Sequence, residues 1–398
     1  MKVLVLNAGS SSVKFTLYTM KNETVLAKGM VERVGIENPQ LIYKHSDGRE
    51  VTEIINIKDH TGAIKSICDK LLDPEIGVMA DRSEVEAIGH RVVHAGEKLT
   101  RPELVTDEVK NIIRECVPMC PLHNPANLAG IEACEKIFPG VPNVAVFDTA
   151  FHQTMKPSAF LYAIPYEFYE KYGIRKYGFH GTSHDFVSSA AADYIGAKRE
   201  DLKIITCHLG NGCSIAAIEN GNVIDTSMGL TPLEGLVMGT RSGDLDPAVI
   251  IHMFNLGMSV AEVDNLLNKK SGLLGVSGVS SDMRDILKAE AEGNERAARA
   301  KRMFILRIVK YIGAYYTVLG GADLIVFTGG VGEYSLPVRK QIMEKLGALG
   351  IVVDETRNEA CFGKAGLISA DNSKCKVLVM PTNEELMIAR DVRRSLSK

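Results

Sequence analysis

Several glycine-rich turns in this chain each carry a cation or a hard oxygen donor, and the set describes a chemistry of anions. In Gly89-His90-Arg91-Val92-Val93-His94-Ala95-Gly96, Arg91 falls within an apolar strand. A guanidinium buried there has to meet an anion, because an unpaired buried charge costs several kcal/mol. Gly239-Thr240-Arg241-Ser242-Gly243-Asp244 sets a second arginine among small residues, as close backbone approach to a ligand requires. Phe147-Asp148-Thr149 puts a carboxylate at the carboxyl end of a strand, where open α/β sheets bind ligands. Gly329-Gly330-Val331-Gly332-Glu333 follows a strand and opens a helix, whose first N–H groups suit an anion or a nucleotide. Each feature alone has an ordinary structural reading. A lone arginine serves a salt bridge, a strand-end aspartate serves as a cap, and Glu384 is an acid in a first helical turn, where the helix dipole favours it. Together with Lys14 and His180, the set supplies what phosphoryl transfer uses: neutralised equatorial oxygens, oxygen ligands for Mg²⁺ and in-line placement.

Competing chemistries lose their key residues. The chain has no G-x-x-x-x-G-K-[ST], no G-x-G-x-x-G after a strand, and no H-R-D or D-F-G. Ser11-Ser12-Val13-Lys14 matches the S-x-x-K of penicillin-recognising acylases, but its S-D-N and K-T-G companions are absent and Lys14 sits in an alternating strand. His180 and His184 have the i,i+4 spacing of a zinc pair, yet Gly181 stands where a zincin has glutamate. Thr182 or Ser183 reads as the N-cap of a helix over 184–195, which puts His180 in the preceding turn, off any face shared with His184. The eight cysteines include no C-x-x-C pair and have no zinc-ligand company, so they read as reduced small hydrophobes of a cytoplasmic protein.

These groups need elements to hold them. Residues 2–6 read as a buried strand, and 12–18 alternate, with Val13, Phe15 and Leu17 on one side and Ser12, Lys14, Thr16 and Tyr18 on the other. The turn Asn7-Ala8-Gly9-Ser10-Ser11 makes them a hairpin. A second strand–glycine-turn–strand unit spans 203–218, and sliding one onto the other aligns Gly9 with Gly210, Ser10 with Asn211 and Ser12 with Cys213. Two such units half a chain apart imply a duplicated α/β domain. Further strands are expected at 85–93, 143–148, 323–328 and 376–380, and helices near 60–72, 106–116, 126–137 and 297–319. A last helix opens at Pro381-Thr382-Asn383-Glu384-Glu385, with Thr382 and Glu385 spaced as a capping box. The Pro- and Tyr-rich stretch 156–177 is the expected domain crossing. A length of 398 residues, 45% hydrophobic and 24% charged, supports more than one core. A formal charge of -3 gives no field for nucleic acid, and no uncharged apolar run reaches the roughly 18 residues of a membrane span.

The motifs also resemble a known family. Asn7 to Phe15, Gly89 to His94, Pro121-Leu122-His123-Asn124-Pro125 and Phe147 to His152 are similar to acetate kinases. So are Arg175 to His184, His208 to Gly212, Gly239-Thr240-Arg241 and Pro381 to Glu385, in family order along the whole chain. That family belongs with the sugar kinases, chaperone ATPases and actin. The resemblance implies duplicated ribonuclease-H-like (actin-like ATPase) domains with a cleft between them. They would span 1–150, with helix 383–398 packed back on that domain, and 151–382, which binds nucleotide and dimerises. It implies Mg²⁺-dependent (or Mn²⁺-dependent) phosphoryl transfer between ATP and a short carboxylate, giving acyl phosphate and ADP. Carried over by position, Asn7 and Glu384 would hold the metal and Lys14 would approach the phosphates. Arg91 would anchor acetate and, with Arg241 and His180, stabilise the moving group, while Asp148 would orient the attacking oxygen. Val93, Leu122, Phe179 and Pro232 would bound the methyl. His208, Leu209, Gly210, Asn211, Gly212, Asp282, Met283, Arg284, Gly330, Val331, Gly332, Glu333 and Tyr334 would contact nucleotide, although the family has Ile at 331 and Asn at 334. The alternatives are a propionate or butyrate kinase of the same fold and a non-catalytic ATP-sensing module, in which Arg91 would pair with an internal carboxylate far from the cleft.

Overall fold

The apolar runs become two mixed sheets in the computed structural model, which describes residues 1–121 and 123–397. The first sheet contains β1 (Lys2–Ala8), β2 (Ser12–Thr19), β3 (Thr24–Glu32), β4 (Gln40–His45), β5 (Glu50–Ile54), β6 (Ala87–Val92), β7 (Glu103–Leu104) and β8 (Asn143–Phe147). Its order is β5-β4-β3-β2-β1-β6-β8-β7. The second contains β9 (Lys203–Leu209), β10 (Cys213–Glu219), β11 (Asn222–Thr226), β12 (Leu324–Thr328), β13 (Gly366–Leu367) and β14 (Lys376–Val379), in the order β11-β10-β9-β12-β14-β13. Each sheet begins as an antiparallel meander, β1-β2-β3 or β9-β10-β11. Each then adds two strands parallel to its first, β6 and β8 or β12 and β14, and ends on a short antiparallel edge. The duplication expected from the hairpins is therefore present in six strands of each sheet, with β4 and β5 extending the first sheet alone.

The hairpin alignment slips by one residue. Ala8 faces Val13 across the first turn, whereas Leu209 faces Cys213 across the second. One extra residue in the first turn makes Val13, not Ser12, the counterpart of Cys213, and Lys14 the counterpart of Ser214.

The chain divides into two compact units, Met1–Phe151 with Asn383–Lys398, and His152–Thr382. The stretch 156–177 thus lies wholly in the second. In the first unit the alternation of β1 and β2 buries both faces. Leu4, Leu6, Val13, Phe15 and Leu17 pack against the helices His60–Leu71 and Asn124–Ile137. Val3, Val5 and Tyr18 pack against Ile388, Ala389 and Val392 of the helix Glu384–Leu396. Burying one such aliphatic side chain stabilises by about 1.5–3 kcal/mol. The close approach needs Gly89 in β6, where a Cβ would fall 2.7 Å from Ile388 Cγ2 and 2.8 Å from Val392 Cγ2. Arg390 and Arg393 clasp Glu23 across the same seam.

That helix does not start with a capping box. Asn383 is the N-cap, its side chain accepting the Leu386 N–H at 3.0 Å. Thr382 instead turns its hydroxyl to Ser183 Oγ, 2.8 Å away. The helix expected over 184–195 runs Gly181–Tyr194, with His180 itself at the N-cap in the left-handed region (φ 58) and no side-chain cap. All eight cysteines are buried and free.

Candidate active site

In the first unit the parallel strands β1, β6 and β8 end side by side, and the expected groups stand at those ends. Asn7 is next to last in β1 and faces Lys14 on β2. Arg91 lies on β6 opposite Val146, and Asp148 follows β8, its N–H bonded to Val92 O at 3.0 Å. The Arg91 guanidinium grips Asp148 in a fork: Nε donates to Oδ1 at 2.9 Å and Nη2 to Oδ2 at 2.6 Å. The Asp148 side chain is 2% exposed and that of Arg91 22%. Burial opposes the Arg91 charge, but the Asp148 carboxylate outweighs it and lifts the guanidinium pKa further. Glu384 occupies the first position of its helix, close enough to feel Arg91, Asp148 and Lys14. Burial, ahead of the negative charges of Asp148 and Glu385, raises its carboxyl above the ordinary range against the pull of Arg91 and Lys14.

Two asparagines that the chemistry-led reading passed over hold this arrangement. Asn127 accepts the Val93 N–H (3.1 Å) and donates to Ala8 O (2.8 Å), tying the ends of β1 and β6. Asn124 accepts from His94 N–H and donates to the carbonyls of His94 and Ile113. Asn124 had a signal, its place in the Pro121–Pro125 motif; Asn127 had none beyond its helical spacing from it. Val93 is 6% exposed on the loop they pin. Leu122 lies outside the described residues.

The second unit carries the remaining groups. His180 and Arg241 meet at Gly212, where a Cβ would lie 3.4 Å from His180 Nε2 and 3.5 Å from Arg241 Nη1. Arg241 Nη1 also donates to Pro232 O at 3.2 Å, which brings the expected Pro232 to its arginine. Phe179 is buried, its carbonyl 2.9 Å from His152 Nε2. The His180 ring stacks on His208 with centroids 4.3 Å apart, and Ser183 Oγ sits 2.8 Å from His208 Nδ1. His180 stands before the helix, as expected, although the helix itself begins at Gly181, earlier than its hydroxyl residues indicate.

Beside them is a cavity of about 530 Å³, within the size of small-ligand sites. Gly210, Asn211, Asp282, Met283, Arg284, Gly330, Val331 and Tyr334 line it, all of them expected nucleotide contacts. Phe362 joins them, its ring edge-on to Tyr334 at 5.2 Å, with both side chains about half exposed. Nothing in the local sequence marks Phe362, since it comes from a distant loop. His208, Leu209, Gly212, Gly332 and Glu333 do not line the cavity. Glu333 is spent internally: its Oε1 accepts from the N–H groups of Gly329 and Thr382 and from the Thr328 hydroxyl.

Among the described residues no group of three or more His, Cys, Asp and Glu is arranged to hold a metal, and no helix is long and apolar enough to cross a membrane. The oxygen donors of Asn7 and Glu384 nonetheless suit Mg²⁺, which takes one or two carboxylates and completes its shell with water and phosphate oxygens.

A model of the acetokinase family matches residues 2–390. The chain is 55% identical to an acetate kinase of Halothermothrix orenii, covering 99% of both. It superposes on the crystal structure of Porphyromonas gingivalis acetate kinase with a TM-score of 0.95 and 48% identity, covering 99% of each chain. A propionate kinase from Francisella tularensis is similar at a TM-score of 0.92 and 42% identity, again over 99% of each.

Proposed function

The chain belongs to the acetokinase family, and on that footing we propose that it transfers the γ-phosphoryl group of ATP reversibly to acetate, giving acetyl phosphate and ADP by direct in-line displacement. The observation that carries the reading is the pair Arg91 and Asp148 at the carboxyl ends of parallel strands, with Glu384 of the last helix beside it. Arg91 pairs with an internal carboxylate, the trait expected of a mere ATP sensor. Its partner, however, is itself an expected site residue with Glu384 beside it, which a sensor does not require.

Acetate reaches the enzyme already ionised at neutral pH, so no strong base is needed. Arg91 anchors the acid's carboxylate, and Asp148 sets the guanidinium plane that aims the attacking oxygen. Val93 of the first unit, and Phe179 and Pro232 of the second, are the apolar residues proposed for contact with the methyl group. Arg241 and His180 donate to the phosphoryl oxygens as charge spreads over them. Asn7 and Glu384 would hold Mg²⁺, or Mn²⁺ in its place, with Lys14 near the phosphates. Such an ion would supply neutralisation of phosphate charge. The cavity takes the nucleoside, with Tyr334 and Phe362 presenting aromatic faces to the base.

The reading extends to a cytoplasmic homodimer. Eight buried thiols suit a reducing compartment, and Ile251, Leu256 and Val260 in and after the helix Pro247–Asn255 are each at least 60% exposed, as an interface would leave them in one subunit. The test is trapping of acyl phosphate as hydroxamate while acid length runs from C2 to C4 and the nucleoside triphosphate is varied. Hydroxamate from acetate and ATP supports the reading; ATP binding with none from any acid refutes it.

A further inference from the structure

His180 and His184 have the spacing of a zinc pair, yet their rings close on a hydroxyl. Ser214 Oγ lies 2.9 Å from His180 Nδ1 and 2.7 Å from His184 Nε2. The other nitrogen of His184, Nδ1, lies 2.7 Å from Thr206 Oγ1. Thr206, His184 and Ser214 are all 0% exposed. The result is a single hydrogen-bonded chain, Thr206–His184–Ser214–His180, running from the protein interior to the ring that meets Arg241 at Gly212.

Such a chain has a direction. Each hydroxyl brings one proton, and a neutral imidazole brings one N–H and one bare nitrogen. Among the described residues, His184 Nδ1 is the one hydrogen-bond partner of Thr206 Oγ1. If Nδ1 carried the proton, the Thr206 hydroxyl would have to accept, and its own proton would be buried with nothing to bond, costing stability. Thr206 therefore donates to His184 Nδ1. The His184 proton then sits on Nε2 and goes to Ser214 Oγ, and Ser214 donates in turn to His180 Nδ1. That places the His180 proton on Nε2.

The same bookkeeping opposes an imidazolium. With protons on both nitrogens, His180 would donate to a Ser214 oxygen already serving His184, and the Ser214 proton would be stranded. His208 stacks on the ring from β9, His184 stands on the helix that follows it, and Arg241 comes near it from the loop at Gly212. Burial first, and then the rings of His152 and His208, hold the pKa of His184 well below the ordinary histidine range, so that link stays neutral.

We propose that Thr206, His184 and Ser214 form a tautomer lock that keeps His180 neutral and protonated on Nε2, making it a hydrogen-bond donor to the transferred phosphoryl group. The role in transfer rests on the function proposed above; the lock itself does not, and the two can fail separately. Ser214, His184 and Thr206 are positioning residues on this view, acting through His180. The lock also accounts for the left-handed backbone of His180, a conformation uncommon outside glycine, since it turns Nδ1 toward Ser214.

The test is ¹⁵N-histidine labelling of the intact enzyme, with ring nitrogens read by long-range ¹H–¹⁵N correlation and His180 assigned by its loss in His180→Asn. A bare Nδ1 and a protonated Nε2 are expected at neutral pH. Ser214→Ala should convert His180 to a tautomer mixture and lower kcat about tenfold at nearly unchanged KM. Thr206→Val, which keeps the side-chain volume, should shift the tautomer in the same direction from two bonds further away. An Nδ1-protonated His180 in the unaltered enzyme overturns the proposal. So does a tautomer that neither variant moves, or an imidazolium at neutral pH. Hydroxamate formation by the unaltered enzyme reports on the phosphoryl transfer independently.

Discussion

Asp148→Asn is the sharpest probe of the first half of the site. The substitution keeps the shape of the side chain and one acceptor oxygen, so one of the two bonds from Arg91 can survive. It sets an NH₂ group against the other guanidinium nitrogen, where Asp148 Oδ2 now lies 2.6 Å from Nη2. Breaking a buried pair costs about 3–5 kcal/mol. Arg91 retains 22% exposure, so water relieves part of the loss and the lower end, about 3 kcal/mol, applies. For a unit of this size that lowers Tm by about 6–12 °C, read by calorimetry as the transition of the first unit. Acyl phosphate formation should fall by about 10²-fold, since an anchor misplaced by an ångström costs that much. The double variant Arg91→Met with Asp148→Leu separates structure from chemistry: apolar replacement of a buried pair is near neutral for stability, so Tm should largely return while activity stays lost. A single variant melting within about 2 °C of the parent, below what even 1 kcal/mol produces, would refute the reasoning, as would a double variant that turns over.

Three further outcomes follow from the site. Arg241→Ala should lower kcat by roughly 10³-fold, because it removes charge stabilisation from the migrating group; near-normal steady-state turnover would exclude that role. Glu384→Ala should raise the Mg²⁺ concentration needed for half-maximal rate steeply, and an unchanged Mg²⁺ titration would reject Glu384 as a ligand. Val93→Ala should improve kcat/KM for propionate over acetate by up to about tenfold, the worth of one methylene; an unaltered ratio would remove Val93 from the methyl pocket.

Both sheets were legible because buried strands advertise themselves. The apolar run 2–6 and the alternation at 12–18 gave the first hairpin, and the same grammar at 203–218 gave its repeat. The pairing of Arg91 was legible for an energetic reason, since a guanidinium in an apolar strand has no stable alternative to an anion. What was lost turned on hydrogen bonds with several equivalent solutions. Thr382 and Asn383 are both good caps, and the spacing to Glu385 favours Thr382, yet Thr382 is drawn to Ser183 from a part of the chain 199 residues away. Thr182 and Ser183 likewise read as caps, but Ser183 is claimed by His208 and Thr382, and the helix starts at Gly181. Phe362 and Asn127 show the other limit, in which a residue reaches the site only through tertiary approach.

The histidine pair shows how one spacing can be right for the wrong chemistry. His180 and His184 point at one place although His180 stands outside the helix that carries His184. The residue that arrives between them is Ser214, from β10. The duplication makes Ser214 the counterpart of Lys14, because Asn7 faces Lys14 as His208 faces Ser214. One strand position thus carries a cation in the first unit and a hydroxyl in the second. A lysine there would put an ammonium against His180 Nδ1 and could only donate, forcing that nitrogen bare while leaving the His184 Nε2–H without an acceptor. A hydroxyl both donates and accepts, so it alone of the two can link the rings and pass a direction from one to the other. On the proposal above, the hydroxyl at this one position is what lets the second unit present a neutral donor where the first carries a charge.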